Sequence, residues 1–408
     1  MPTVARRVLP TVVAVLLLFA LTLPPAGAVP SPTAAAGTLQ FYGGEVRAIA
    51  QLGNTIYVGG SFTAVGNGAP SVNRANLVAV DATTGQLVTG FDPHPDNAVN
   101  ALLVSADGSH LYAGGVFNNV RGCSQCDRLA MLDPATGAAV TTFQPRPNAA
   151  VLKLAQAGST LFVGGTFATV GLRRRVRLAA VNATTGAVGG MALHADGAVR
   201  DLAVNPAGTT LYLAGAFTHL GGAVRFNFAS IDIASRTLTA WNPNVHASGW
   251  GVALSPNGAT AYLTTADGNE SICNAGHESV IAMPATGSGA PAVLWHNGGA
   301  PGCAYNSGDV NAVEATASAV YVGGHLTNLR TVRNTSYTTA CPGALTVRNH
   351  VAALDPATGV PLAWNPGATG TRGVLAIQAL AAGLGVGGDF QRTNGVLHSG
   401  FALFPGTA

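Results

Sequence analysis

Charge is scarce in this chain. Asp, Glu, Lys and Arg together make up 9% of its 408 residues, and the formal net charge is +3. So small an excess gives no basic footprint for nucleic acid. Lysine is nearly missing, with Lys153 the single one. Sustained helical periodicity is absent after residue 28, which argues against a helical fold. No apolar run beyond that point is long enough to span a bilayer. The glycine pairs are not followed by helices, so neither a phosphate loop nor a dinucleotide-binding unit is present. Cysteine is limited to five residues with one Cys-x-x-Cys, and the second pair that would complete a zinc site is lacking. No nucleophile–base pattern stands out. Neither a metal nor a cofactor is expected.

What the chain has instead is a repeat. Tyr57-Val58-Gly59-Gly60-Ser61-Phe62 recurs as Tyr112–Phe117, Phe162–Phe167, Tyr212–Phe217, Tyr321–Leu326 and Gly385–Phe390. A degenerate copy, Tyr262-Leu263-Thr264-Thr265-Ala266-Asp267, fills the one gap. The second glycine or its equivalent falls at 60, 115, 165, 215, 265, 324 and 388. Self-similarity at this period marks a propeller or a solenoid. In the second copy, residues 99–104, 111–117, 129–132 and 139–143 read as four strands, separated by Ser105-Ala106-Asp107-Gly108 and Asp133-Pro134-Ala135-Thr136-Gly137. Four strands per unit is the arithmetic of a β-propeller blade.

The expectation is therefore an all-β, seven-bladed β-propeller of four-stranded blades over residues 38–408. The last copy has only three strands before the chain stops. Residues 38–42 precede the first copy and have no blade of their own. Fourth strands end in Phe91, Phe143, Trp241, Trp295 and Trp364, and Phe41 matches them. The N-terminal strand is thus expected to complete blade seven, leaving no blade with an unpaired edge from chain termination.

Residues 1–28 read as a secretion signal: Arg6 and Arg7, an apolar run over 12–23, then Ala26-Gly27-Ala28. Residues 29–37, rich in Ala, Pro and Ser, read as a disordered leader. The protein is expected to be secreted, monomeric and without a transmembrane segment. In an exported chain the cysteines suggest disulfides. Cys123–Cys126 is the expected local bridge. A second would be Cys303–Cys341 or Cys273–Cys303.

Asp81-Ala82-Thr83-Thr84-Gly85 recurs at 133–137, 182–186 and 355–359. Its Asp or Asn suits a turn better than calcium, since the side chain accepts backbone N–H groups and Gly supplies the left-handed corner. The run Arg173-Arg174-Arg175, with Arg177, reads as a solvated loop or an anion-facing surface. Another constellation lies five residues before each first strand: His94, Arg146, His194, His246, Tyr305 and Arg372. Asp96, Asn148, Asp196, Ser248 and Ser307 follow two residues later. These side chains are the candidate ligand-binding set at a channel mouth, where loops of every blade converge. Catalytic residues are not assigned.

The Gly-Gly-x-Phe strand, the Asp-x-x-Thr-Gly turn and the Phe/Trp-x-Pro strand end (Phe91-Asp92-Pro93, Trp241-Asn242-Pro243) resemble the delta-60 type of β-propeller repeat, over residues 38–405. That resemblance implies an exported bacterial propeller and brings no catalytic residues with it. Blade five departs most, lacking both the glycine pair and the turn Asp. The functional expectation is a binding module for an extracellular glycan or envelope protein. The alternative is a polysaccharide hydrolase or lyase, with His94, His194, His246, Tyr305 and Arg146 as acid–base and anion-holding groups.

Overall fold

The computed structural model describes residues 29–67, 71–266, 279–289, 291–298, 307–330 and 344–406. The expected signal at 1–28, together with Tyr305, Cys273, Cys303 and Cys341, lies outside them. Every regular element among the described residues is a β-strand.

Seven antiparallel sheets are built on one plan. Sheet 1 comprises Val46–Leu52, Thr55–Gly60 and Leu77–Asp81. Sheet 2 comprises Val99–Val104, Leu111–Gly115 and Leu129–Leu132. Sheet 3 follows with Val151–Ala157, Thr160–Gly165 and Leu178–Asn182. Sheet 4 has Val199–Val204, Thr210–Gly215, Phe228–Asp232 and Thr237–Leu238. Sheet 5 has Ser248–Leu254, Thr260–Ala266, Ser279–Pro284 and Trp295–Gly298. Sheet 6 has Ser307–Ala315, Val320–Leu326 and Val351–Leu354. Sheet 7 has Val374–Leu380, Gly383–Gly388 and Phe401–Pro405.

The expected fourth strand is regular only in sheets 4 and 5. Elsewhere it shrinks to a single bridge, as at Val80↔Leu87, Leu132↔Ala139 and Leu354↔Pro361. A tight turn precedes it. The Asp81 carboxylate accepts the N–H groups of Thr83 and Thr84. Asp133, Asn182 and Asp355 repeat the arrangement.

Each sheet shares a dry core with the next. Tyr57, Ala79 and Phe91 of sheet 1 pack with Val99, Leu111 and Phe117 of sheet 2. Corresponding clusters join every successive pair, and Ala376, Phe401 and Leu403 of sheet 7 pack with Val46, Ile49 and Ile56 of sheet 1. The expected aromatic strand ends act here: Phe91 meets Tyr57 edge-on at 5.1 Å, and Trp241 meets Tyr212 at 5.2 Å. Such pairs add about 0.5–1.5 kcal/mol beyond their buried area.

The first strands of neighbouring sheets lie in step. Arg47 Nη1 donates to Asn100 Oδ1, and Asn100 Nδ2 donates to the Val151 carbonyl, so like positions stand side by side. All first strands therefore begin at one end of the molecule. The connections between second and third strands return to that same end. There they form small hairpins, including Thr169–Val170 with Arg173–Arg174 and His219–Leu220 with Ala223–Val224.

The N-terminal segment differs from its expected register. The Ala35 N–H donates to Leu403 O and the Ser31 N–H to Pro405 O, so residues 31–35 lie along the third strand of sheet 7. In sheet 1 the matching bond is Val88 N–H to Ala79 O. The stretch expected to be a disordered leader is thus hydrogen-bonded beside the third strand of sheet 7. Its Ser31 carbonyl also accepts the Trp364 indole N–H. Phe41 does not sit at the aromatic strand end. It lies further on, in Gln40–Tyr42, which pairs with Ala64–Gly66. No aromatic is needed at that strand end in sheet 7, because Gly385 stands where Tyr57 stands in sheet 1.

Candidate functional site

A cavity of about 650 Å³ lies where the seven first strands meet, lined by residues from all seven sheets. A recurring β-bulge builds it. The strand register skips between Val46 and Ala48, Val99 and Ala101, Val199 and Asp201, Gly249 and Gly251, Val310 and Ala312, and Val374 and Ala376. In sheet 3 the skipped residue is Leu152. The extra residue of a bulge is unpaired and re-aimed. Here those residues are Arg47, Asn100, Leu152, Arg200, Trp250, Asn311 and Leu375, and all seven line the cavity.

The glycine pair makes the bulge possible. A Cβ on Gly60 would stand 2.0 Å from the Glu45 carbonyl oxygen, and one on Gly115 would stand 2.2 Å from that of Ala98. The bulge pushes these carbonyls across the second strand, where they accept the N–H groups of Ser61 and Val116. The first glycine serves packing instead: a Cβ on Gly59 would meet Val99 Cγ1 of the next sheet at 2.8 Å.

At the bulge end of the cavity, Glu45 holds two arginines. Arg47 Nε donates to it at 2.8 Å, and Arg372 Nη1 lies 3.3 Å away. The Arg200 guanidinium lies over the Trp250 ring, 4.3 Å from its centroid. Among the described residues, the Trp250 indole N–H and the Asn311 carbonyl oxygen have no hydrogen-bond partner. One position further along, the strands carry Ala48, Ala101, Gly251, Ala312 and Ala376, but also Lys153 and Asp201. Lys153 Nζ and Asp201 Oδ1 are 2.9 Å apart. The Asp201 carboxylate raises the lysine's pKa against the opposing effect of burial. Asp201 also accepts the N–H groups of Leu202 and Val252. Beyond them, burial pushes the Glu314 carboxyl up to about 7, an effect that the Ala379 N–H and Lys153 only partly offset.

The loop residues expected to gather at the mouth behave differently. His94 Nε2 sits 3.0 Å from Asp92. Arg146 donates to Gln144 and Gln125. His194 Nδ1 accepts the Val176 N–H, and His246 stacks on Phe226 at 4.2 Å. These four have separate partners, and none lines the cavity. His94 and Arg146 also hold left-handed backbone, at φ +46° and +51°. Arg372 alone of the described set reaches the cavity. The acceptors two residues on bind backbone: Asp96 takes the N–H groups of Asn118 and Asn119, and Asn148 those of Ala168 and Thr169. Asp196 takes those of Thr218 and His219. Burial works against the Asp196 carboxylate, but the Thr218 and His219 bonds outweigh it and hold its pKa well below the ordinary range.

The bulge positions were discernible in sequence but not singled out. Each follows a recurring Val (Gly249 in sheet 5) and differs between copies in charge and size. A second unforeseen feature is an arginine strap. Arg74, Arg175, Arg225 and Arg348 donate to the carbonyls of Thr89, Gly189, Thr239 and Leu362, tying each hairpin to the outer segment of its sheet. In sheet 2 that position is Cys126, which is disulfide-bonded to Cys123 as expected.

No family model matches the chain, and no curated protein matches it. Among solved structures it is similar to the computationally designed Ika8 protein, with a TM-score of 0.50 and 13% identity over 92% of this chain and 99% of that one. It also resembles Kuenenia stuttgartiensis hydrazine synthase, with a TM-score of 0.47 and 14% identity over 71% of this chain and 76% of that one. The first likeness concerns the all-β fold alone.

Proposed function

We propose that the chain is an exported seven-bladed β-propeller, closed by residues 31–35 against sheet 7, that acts as a binding module. Its ligand would enter the central cavity at the bulge end, and an extracellular glycan suits that lining best. One observation supports this above the rest. Positions that maintain the repeat are alike from sheet to sheet, whereas the seven bulge residues are Arg, Asn, Leu, Arg, Trp, Asn and Leu. Guanidinium and amide groups beside an indole face suit sugar hydroxyls and ring faces. An envelope protein presenting a polar loop is the other partner of this reading.

Export is supported by the N-terminal signal pattern and by the Cys123–Cys126 bridge. The hydrolase or lyase reading through His94, His194, His246, Tyr305 and Arg146 has less support, because its described members bond to separate neighbours.

The test is binding of the purified protein to a panel of envelope and plant polysaccharides. Trp250→Ala and Arg47→Ala/Asn100→Ala should lose binding, while His94→Ala/Arg146→Ala/His194→Ala/His246→Ala keeps it. The reverse pattern would return the site to the loops. Turnover of a bound polymer would favour the enzyme.

A further inference from the structure

Among the described residues, the two ends of the molecule carry opposite charge. Asp81, Asp107, Asp133, Asp232 and Asp355 lie in turns at the end away from the hairpins. Among the described cations at that end there is only Arg236. Every other described arginine lies at the hairpin end, in a hairpin, a connection or a bulge. The acidic groups there are largely engaged: Glu45 with Arg47 and Arg372, Asp92 with Arg74, His94 and Arg121, and Asp96 and Asp196 with backbone N–H groups.

The same end presents apolar side chains to solvent. Of the large exposed hydrophobics among the described residues, all except Leu294 are on its hairpins: Val72, Leu172, Val224, Leu345 with Val347, and Val396 with Leu397. They come from five different sheets. Leu172 is the extreme case, at 105% relative exposure on a hairpin tip beside exposed Arg173 and Arg174. Neither of those arginine side chains has a partner among the described residues. Single exposed apolar residues are ordinary on a surface; here seven of them stand on the hairpins of one end.

From this juxtaposition we infer that the hairpin end docks on an anionic lipid bilayer, with the apolar tips entering the headgroup layer and the arginines pairing with phosphates. Charge complementarity selects the occupant. A second copy facing the same end would set arginine against arginine. A soluble polyanion would satisfy the arginines but not Leu172, Val396 and Leu397. A bilayer offers negative charge at its surface and hydrocarbon beneath it. The bulge end of the cavity opens on this same face, so docking on a bilayer and entry of a ligand there would compete.

The experiment is co-sedimentation of the purified protein with phosphatidylcholine vesicles, with and without roughly one-third phosphatidylglycerol. Binding should require the anionic lipid and weaken with salt. Arg173→Glu/Arg174→Glu should weaken it at least roughly tenfold. Leu172→Ser combined with Val396→Ser/Leu397→Ser should weaken it by a similar factor at low salt, with thermal stability unchanged. No sedimentation with anionic vesicles overturns the inference. So does binding indifferent to the three apolar substitutions, which would assign the face to polyanions. A concentration-dependent dimer abolished by Leu172→Ser would overturn it in favour of self-association.

Discussion

Lys153 Nζ lies 2.9 Å from Asp201 Oδ1, joining the first strands of sheets 3 and 4 inside the cavity. The two partners are not equivalent. Asp201 is almost fully buried and also holds the N–H groups of Leu202 and Val252, so it ties sheet 4 to sheet 5 as well. The Lys153 side chain is 46% exposed to the cavity. Asp201→Ala strands two buried donors and should cost about 2–4 kcal/mol. Lys153→Met leaves Asp201 with its backbone bonds and should cost about 1 kcal/mol. Urea unfolding of the two variants checks the order; equal losses would mean that the ion pair itself dominates.

Because Lys153 is the only lysine, its ammonium can be followed without any other side-chain amine. Reductive methylation read by mass spectrometry should be slow there, since the Asp201 carboxylate keeps the amine protonated. A ligand seated in the cavity should slow it further. Modification as fast as that of a free lysine analogue would contradict the pairing.

Glu314 gives the stability of the fold a pH dependence with a defined sign. Its carboxyl is raised by burial from 4.5 to about 7, so between those values the folded state holds a proton that the unfolded state has released. Stability should therefore fall as pH rises from about 4.5 to 7 and level off above that. Glu314→Gln cannot ionise and can still accept the Ala379 N–H. The variant should gain roughly 1–3 kcal/mol on wild type between pH 5 and pH 8, by chemical denaturation. Parallel stability curves for the two proteins would rule out the shift.

How much of this was legible in the sequence depended on which positions repeat. The strands were legible because Tyr57, Gly59, Gly60 and their counterparts recur with one spacing, and the Asp81-type turns because their chemistry is local. The N-terminal segment was placed in another register because Phe41 looks like the aromatic strand ends. What fixes its place is backbone pairing of Ala35 with Leu403, which no side chain announces. The cavity lining went unnoticed for a related reason. His94, Arg146, His194 and His246 are the more conspicuous residue types, yet local bonds engage them. Arg47, Asn100 and Trp250 face the cavity because of a bulge, and a bulge is a register event rather than a residue type.

The second glycine of each pair should tolerate no side chain. Gly115→Ala would set a methyl 2.2 Å from the Ala98 carbonyl oxygen, and the bulge that carries Asn100 would have to move. Gly158 is the control: its φ is +52°, but a Cβ there would meet nothing within 4 Å. Gly158→Ala should cost about 1 kcal/mol from backbone strain alone. Gly115→Ala should cost roughly 3 kcal/mol or more. Thermal denaturation orders the two, and a Gly115→Ala protein as stable as the control would remove the packing explanation of the glycine pair.

Sheet 5 tests the same logic in reverse, because it has exchanged large for small across the strand pair. Thr264 and Thr265 replace the glycine pair, and both are fully buried. Gly249 stands in the first strand where other sheets have Val, and Gly251 where sheets 1, 2, 6 and 7 have Ala. A Cβ on Gly251 would lie 2.7 Å from Thr264 Oγ1 and 2.9 Å from Val313 Cγ1. Gly251→Ala alone should thus cost about 1–3 kcal/mol through overpacking. Thr264→Gly alone opens a void and should also destabilise. Combined, they restore the pairing seen in sheet 1, where Ala48 lies opposite Gly59. The double variant should recover a coupling of about 1–2 kcal/mol relative to the sum of the singles. A double-mutant cycle by urea unfolding measures it directly. Strict additivity would mean that the irregular copy tolerates its threonines for a reason other than the volume that Gly249 and Gly251 give up.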